Sequence, residues 1–378
     1  MIVERPALER RILASCQAGR IPVLLGGCTS GRTSTLLRLW TLQGRARAQY
    51  LDVTAAATTP ERCLASVLSV NPFHLSGEIV VTTTRAAFEG FLRYFDLARA
   101  GDGAPGTFLL DEFLDLRTFE SFPGLRHVQR EFIAHLASSP ATFILASRFT
   151  ARTHRLLRDA PARFEVMHIP PLDSAEVQAL AMMVDDHRRP WMSDLAPGAA
   201  ALAGGRAGTV ALLLHGMTSL GAVSDPVGAM AALFAPDGTL TARCRESYEG
   251  RLQRARGYGA LKAILGILAA TEPLNLTEIA QQLGRTPGST KDYLSWLEDV
   301  DLVTSQGKRY AFEDPLLRVY VRLYGRPVPP TDDDVVREVG AYAKERLPTA
   351  RALASLAAAP PEAPTAPETA RSGIIEID

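Results

Sequence analysis

Pro22-Val23-Leu24-Leu25-Gly26-Gly27-Cys28-Thr29-Ser30-Gly31-Arg32-Thr33 is the stretch on which the fold turns. A short apolar run, suited to a buried strand, breaks into glycines, and a helical pattern follows over 34–42. From Gly26 the spacing is G-x-x-x-x-G-R-T, the phosphate-loop pattern with arginine in the place of lysine. Gly26 and Gly31 permit backbone angles that turn amide N–H groups onto an anion. A helix starting near Arg32 aims its first amides at the same point. Thr33 offers a hydroxyl to Mg²⁺. The expected nucleotide contacts are therefore Gly26, Gly27, Cys28, Thr29, Ser30, Gly31, Arg32, Thr33 and Ser34. Arg32 presents a planar fork where the loop usually places a compact ammonium, so binding is expected more firmly than turnover. A glycine-rich turn without a ligand is the bland alternative.

Outward from the loop, strand-like and helix-like segments alternate. Short apolar runs recur at 49–54 (QYLDVT), 107–111 (TFLLD), 142–147 (TFILAS) and 164–169 (FEVMHI), with helical patterns over 62–68, 86–98 and 127–138 between them. Strands buried on both faces and joined by helices predict a parallel, doubly wound sheet. The run 108–110 ends in Asp111-Glu112. Asp111 suits Mg²⁺ through its water shell, and Glu112 suits orienting or deprotonating a water. Ser147-Arg148 ends another strand on the side where parallel sheets open their ligand crevice, so Arg148 is a candidate γ-phosphate contact, with a plain surface arginine as the equal alternative. Arg163, just before the last strand, is a candidate finger toward a neighbouring subunit's nucleotide, or an ordinary surface arginine. Arg206, after Gly204-Gly205, is a weaker candidate from the helical segment.

After Pro170-Pro171 the strand pattern stops. Asp173-Ser174-Ala175-Glu176 is a capping box opening a helix to about 184, and 195–233 reads as further helices. The uncharged run 207–224 carries too many glycines and hydroxyls for a membrane span and reads as a buried helix pair. From 258 the pattern is helix, a second helix over 277–283 with Thr277 as N-cap, a tight turn, a third helix over 289–300, and a hairpin about 306–308. That order predicts a winged helix. Residues 332–346 suit one more helix. The stretch 357–372, rich in Ala, Pro, Glu and Thr, is expected to be disordered, and 373–378 to be a frayed end. The boundaries drawn are 1–170 for the nucleotide-binding core, 171–245 for a helical lid, 246–326 for the winged helix and 327–378 for a tail.

Composition limits the function classes. The 378 residues carry 41 basic and 41 acidic side chains, which argues against an overall electrostatic grip on nucleic acid or an anionic membrane. Four scattered cysteines with no CxxC pair exclude a zinc ribbon and make a disulfide framework unexpected. Residues 1–11 hold no apolar leader core, so a reducing, cytoplasmic setting is expected. Only four of the basic residues are lysines, a bias toward arginine that offers one origin for Arg32.

Together these residues resemble the P-loop ATPases of the AAA+/STAND group, in particular prokaryotic archaeal-type ATPases with a helical lid and a C-terminal winged helix. The resemblance covers about 3–324. It is carried by Glu4-Arg5-Pro6-Ala7-Leu8-Glu9, the loop 26–33, Asp111-Glu112, Ser147-Arg148, Pro170-Pro171-Leu172, and the segment 310–318 (YAFEDPLLR). It implies an α/β P-loop NTPase core, ATP and Mg²⁺ as ligands, a nucleotide site between core and lid, and an ATP-gated switch, with a homo-oligomer or a protein partner. Two positions depart from the family pattern: Arg32 replaces lysine, and Ala207 stands where many members have proline.

Whether the C-terminal module touches double-stranded DNA is left open by its charge. Over 256–322, eight basic residues balance eight acidic ones. Duplex contact would fall on 285–291, including Arg285, Thr286, Ser289, Thr290 and Lys291, and on Lys308-Arg309. Tyr293, Leu294 and Leu297 read as core. The rival to an ATPase is a non-hydrolysing DNA-binding or protein-interaction regulator that keeps the loop as scaffold.

Overall fold

A computed structural model describes residues 3–185, 190–219, 225–252 and 257–347. The stretches 357–372 and 373–378, and Arg256, lie outside the described residues.

The first half contains, in order, α1 (Pro6–Gln17), β1 (Ile21–Leu25), α2 (Arg32–Gln43), β2 (Ala48–Asp52), α3 (Val53–Ala56), α4 (Pro60–Ser69), β3 (His74–Leu75), α5 (Thr84–Leu97), β4 (Ala98–Arg99), β5 (Thr107–Asp111), α6 (Val128–Ser138), β6 (Thr142–Ser147), α7 (Thr150–Leu157) and β7 (Phe164–His168). A 3₁₀ helix, Phe113–Ser121, follows β5. Five of the strands form one parallel sheet in the order β2-β5-β6-β1-β7. β3 and β4 form a small antiparallel ribbon. β1 is buried along its whole length, because helices cover both faces of the sheet and leave no side for water. On one face Phe91, Phe95, Phe108, Phe132 and Phe143 fill the core; on the other, Ile12, Leu24, Leu36 and Ile144 pack under α1 and α2. The carboxyl ends of β1, β6 and β5 open on one crevice, which brings the loop after β1 near the acids after β5.

The second half contains α8 (Ser174–Val184), α9 (Pro190–Leu202), α10 (Ala207–Ser219), α11 (Pro226–Leu233), α12 (Thr239–Leu252), α13 (Tyr258–Ala270), β8 (Leu274–Asn275), α14 (Leu276–Leu283), α15 (Pro287–Asp299), β9 (Val303–Gln306), β10 (Arg309–Phe312), α16 (Pro315–Tyr324) and α17 (Asp332–Arg346). Asp173 and Glu176 form the expected capping box at α8. The uncharged run is helical in α10, whose Val210, Leu213, Leu214 and Met217 are buried; residues 220–224 lie outside the described ones. Thr277 is not a cap: it lies inside α14, and Asn275, two residues earlier, forms the box with Glu278. α13, α14 and α15 precede the β9–β10 hairpin in the expected order, and β8 adds a third strand to it. α17 packs onto α11 and α16 through Val335 and Val339, and the Tyr342 hydroxyl donates to the Leu202 carbonyl at 2.8 Å. One continuous apolar cluster therefore runs from Leu172 to Ala343. Among the described residues no helix is long and apolar enough to cross a membrane.

Candidate nucleotide site

The loop after β1 turns on two backbone features. Gly31 caps α2 at φ 94°, a left-handed geometry that a side chain strains. A Cβ there would also lie 3.2 Å from the Ala207 Cβ, because the start of α10 packs against the loop. The Gly208 N–H donates to the Thr29 carbonyl at 2.8 Å, and the Thr29 and Thr209 hydroxyls share a hydrogen bond of 2.7 Å. The helical segment thus meets the loop although Ala207 replaces proline.

Asp111 and Thr33 stand together. The Thr33 hydroxyl donates to Asp111 Oδ2 at 2.6 Å, and the Tyr50 hydroxyl donates to the same oxygen at 3.2 Å. Burial, reinforced by the Asp111 charge, pushes the Tyr50 phenol well above its usual value and keeps it a donor. Asp111 Oδ1 is buried without a hydrogen-bond partner among the described residues.

Glu112 follows at φ 52°, left-handed and strained for a non-glycine residue. Its Oε1 meets Arg32 Nη2 at 2.8 Å, and its Oε2 accepts the Arg148 backbone N–H at 3.0 Å. Arg32 and Glu112 are both 8% exposed, yet Arg32 Nε and Nη1 have no partner among the described residues. The Arg148 side chain reaches Asp115 Oδ2 at 3.3 Å and lies over the Phe149 ring. Its side chain is over a third exposed and does not line the cavity beside the loop. Arg163 does something else. Its guanidinium donates to the carbonyls of Gly19, Leu136, Ala137, Ser139 and Ala141. The expected finger is corrected by this geometry: the fork is spent on tying α6 and the ends of β6 and β7 together within the chain. Arg206 pairs with Asp314 at the start of α16.

A cavity of about 420 Å³ opens against residues 27 and 29–34, Cys28 excepted. Its other wall is Gly208, Ala211, Leu212 and His215 on one face of α10, with Arg243 from α12. Tyr50, Asp115, His215 and Arg243 had no sequence signal. Tyr50 arrives through the β2–β5 register, Asp115 through the 3₁₀ turn, and the other two through helix packing.

The unpaired groups define what fits. Arg32 Nε and Nη1 and the Ser30 hydroxyl are buried donors without partners, and Asp111 Oδ1 is a buried acceptor without one. An anionic phosphate chain carrying a divalent cation supplies the complement of both. Thr33 and Asp111 offer one hydroxyl and one carboxylate, the sparse donor set that suits Mg²⁺ shared with phosphates and water.

No protein-family model matches the chain, and no curated protein matches it by sequence. Solved structures do. The Walker-type ATPase of Pyrococcus abyssi superposes with a TM-score of 0.64 at 16% identity, over 85% of this chain and 96% of that one. That likeness shows a shared fold. RuvB of Thermotoga maritima matches with a TM-score of 0.43 at 12% identity, over 86% of this chain and 96% of that one. A signal transduction ATPase with a tetratricopeptide repeat sensor from Pyrococcus horikoshii matches with a TM-score of 0.34 at 16% identity, over 92% of this chain and 46% of that one.

In the C-terminal module, the expected duplex-facing set is trimmed by burial. Thr290 is fully buried, its hydroxyl donating to the Thr286 carbonyl at 3.0 Å, so it faces no ligand. Leu294 and Leu297 are core, while Arg285, Lys291, Lys308 and Arg309 are exposed.

Proposed function

We propose that this chain is an ATP-binding, ATP-hydrolysing switch whose nucleotide state is passed to the helical lid and to a C-terminal winged helix. The observation that carries the reading is the set of unpaired buried donors on Arg32 and Ser30 in the loop, together with the Thr33–Asp111 contact at the start of the α2 helix. The loop amides and Arg32 hold the phosphates. Ala211 and Leu212 offer an apolar wall to a base, with His215 and Arg243 at its rim. Bound Mg²⁺ would supply neutralisation of phosphate charge. Thr33 and Asp111 hold that ion, Glu112 orients the attacking water and accepts its proton, and Arg148 reads the γ-phosphate. The lid senses occupancy because Gly208 and Thr209 are bonded directly to Thr29 of the loop. The C-terminal module is within reach of the same signal through the Arg206–Asp314 pair.

Phosphate release from Mg·ATP tests this. Wild type turns over, and Glu112→Gln loses at least about 100-fold, the usual contribution of a general base. A rate unchanged in Glu112→Gln contradicts hydrolysis at this site.

A further inference from the structure

We infer that Arg32 is a shared ligand for which Glu112 and the terminal phosphate compete, so that the site rests with its base locked. This rests on the nucleotide reading above and adds to it an order of events. In the structure Arg32 does not lie free toward the loop. Its Nη2 is paired with Glu112 Oε1 at 2.8 Å, in a setting where both residues are nine-tenths buried. The second carboxylate oxygen accepts the Arg148 N–H at 3.0 Å, so both oxygens of Glu112 accept from protein donors and the carboxylate is oriented by them.

The arrangement is uneasy on both sides. Glu112 sits at φ 52°, and two of the three guanidinium nitrogens of Arg32 are buried and unpaired. An incoming phosphate oxygen that pulls the fork toward those free donors shares its charge with Glu112 and loosens the Nη2 contact. Arrival of the terminal phosphate and release of the base thus become one exchange. A diphosphate that stops short of the fork leaves Glu112 locked.

The test is calorimetric titration of Mg·ATP and Mg·ADP into the full chain, in a cycle of Glu112→Gln and Arg32→Gln. In the Arg32 background, Glu112→Gln is expected to tighten ATP by about tenfold or more, the factor by which a paired resting state taxes binding, and to tighten ADP much less. In the Arg32→Gln background the same change should alter ATP affinity less than about threefold, since only general charge repulsion remains. An equal gain in both backgrounds, an equal gain for ADP, or no gain overturns the exchange while leaving nucleotide binding intact. Absence of saturable ATP or ADP binding in all four proteins overturns the nucleotide reading itself, and the exchange with it. Circular dichroism and unfolding midpoints of each variant separate these outcomes from loss of fold.

Discussion

Single residues decide what the crevice can do. The spacing Gly26…Gly31-Arg32-Thr33 and the pair Asp111-Glu112 stand out in the sequence because each sets a residue type at a fixed offset from a strand end. What they do to one another was not. The Arg32–Glu112 pair joins residues 80 positions apart through the β1–β6–β5 order, which no local pattern encodes. Arg163 shows the converse. A lone arginine before a strand looks free in sequence, and only the surrounding carbonyls reveal that it is consumed internally. Tyr50 yields a prediction at this scale. Its hydroxyl shares Asp111 Oδ2 with Thr33, so Tyr50→Phe removes one donor to a buried carboxylate. Denaturant unfolding should show a loss of about 1.5–3 kcal/mol, the usual range for a hydrogen bond to a charged group. Unchanged stability contradicts a structural role for that hydroxyl.

Elements were read well where periodicity is strong. All five sheet strands fall within a residue or two of the apolar runs, and α17 spans the expected 332–346. The α14 cap was misplaced because Asn275 and Thr277 are both capping types two residues apart, and the choice depends on Glu278 closing the box. The cap of α7 was out of reach altogether. Its own N-cap, Phe149, has no side-chain acceptor, and the Ala151 N–H donates instead to Asp301 Oδ1 at 3.1 Å, 150 residues away. Burial pushes the Asp301 carboxyl up from 3.8 to about 6, against the opposing pull of the Ala151 N–H and of Arg251. An acid whose value is raised on folding binds more protons in the fold than in the unfolded chain. Its contribution is therefore fully present below about pH 4 and is lost as pH rises through about 6. Asp301→Asn keeps the acceptor and removes the titration. Between pH 4 and 7 it should abolish about 1–2 kcal/mol of the wild-type decline, read from unfolding midpoints across pH. Identical pH profiles for the two proteins contradict this account of the α7 cap.

At the scale of the whole molecule, the parts are joined more tightly than composition suggests. The apolar cluster from Leu172 to Ala343 is continuous, and ion pairs cross the seams: Arg5 with Glu176, Arg155 with Asp299, Arg206 with Asp314. A balanced charge of 41 against 41 says nothing about such seams, since pairs that cancel globally still act locally. The loop, the α10 start and α16 thus lie in one bonded chain from Thr29 through Gly208 and Arg206 to Asp314. A ligand that changes the loop has a mechanical route outward.

On the reading proposed above, residues 26–33 cup a phosphate chain whose metal Asp111 would anchor. Calorimetric titration of ATP with and without Mg²⁺, on wild type and Asp111→Asn, addresses it directly. Mg²⁺ should tighten ATP by at least about tenfold in wild type, one ion-mediated contact's worth, and by less than about twofold in the variant. ATP binding that is absent, or equally metal-dependent in both proteins, contradicts it.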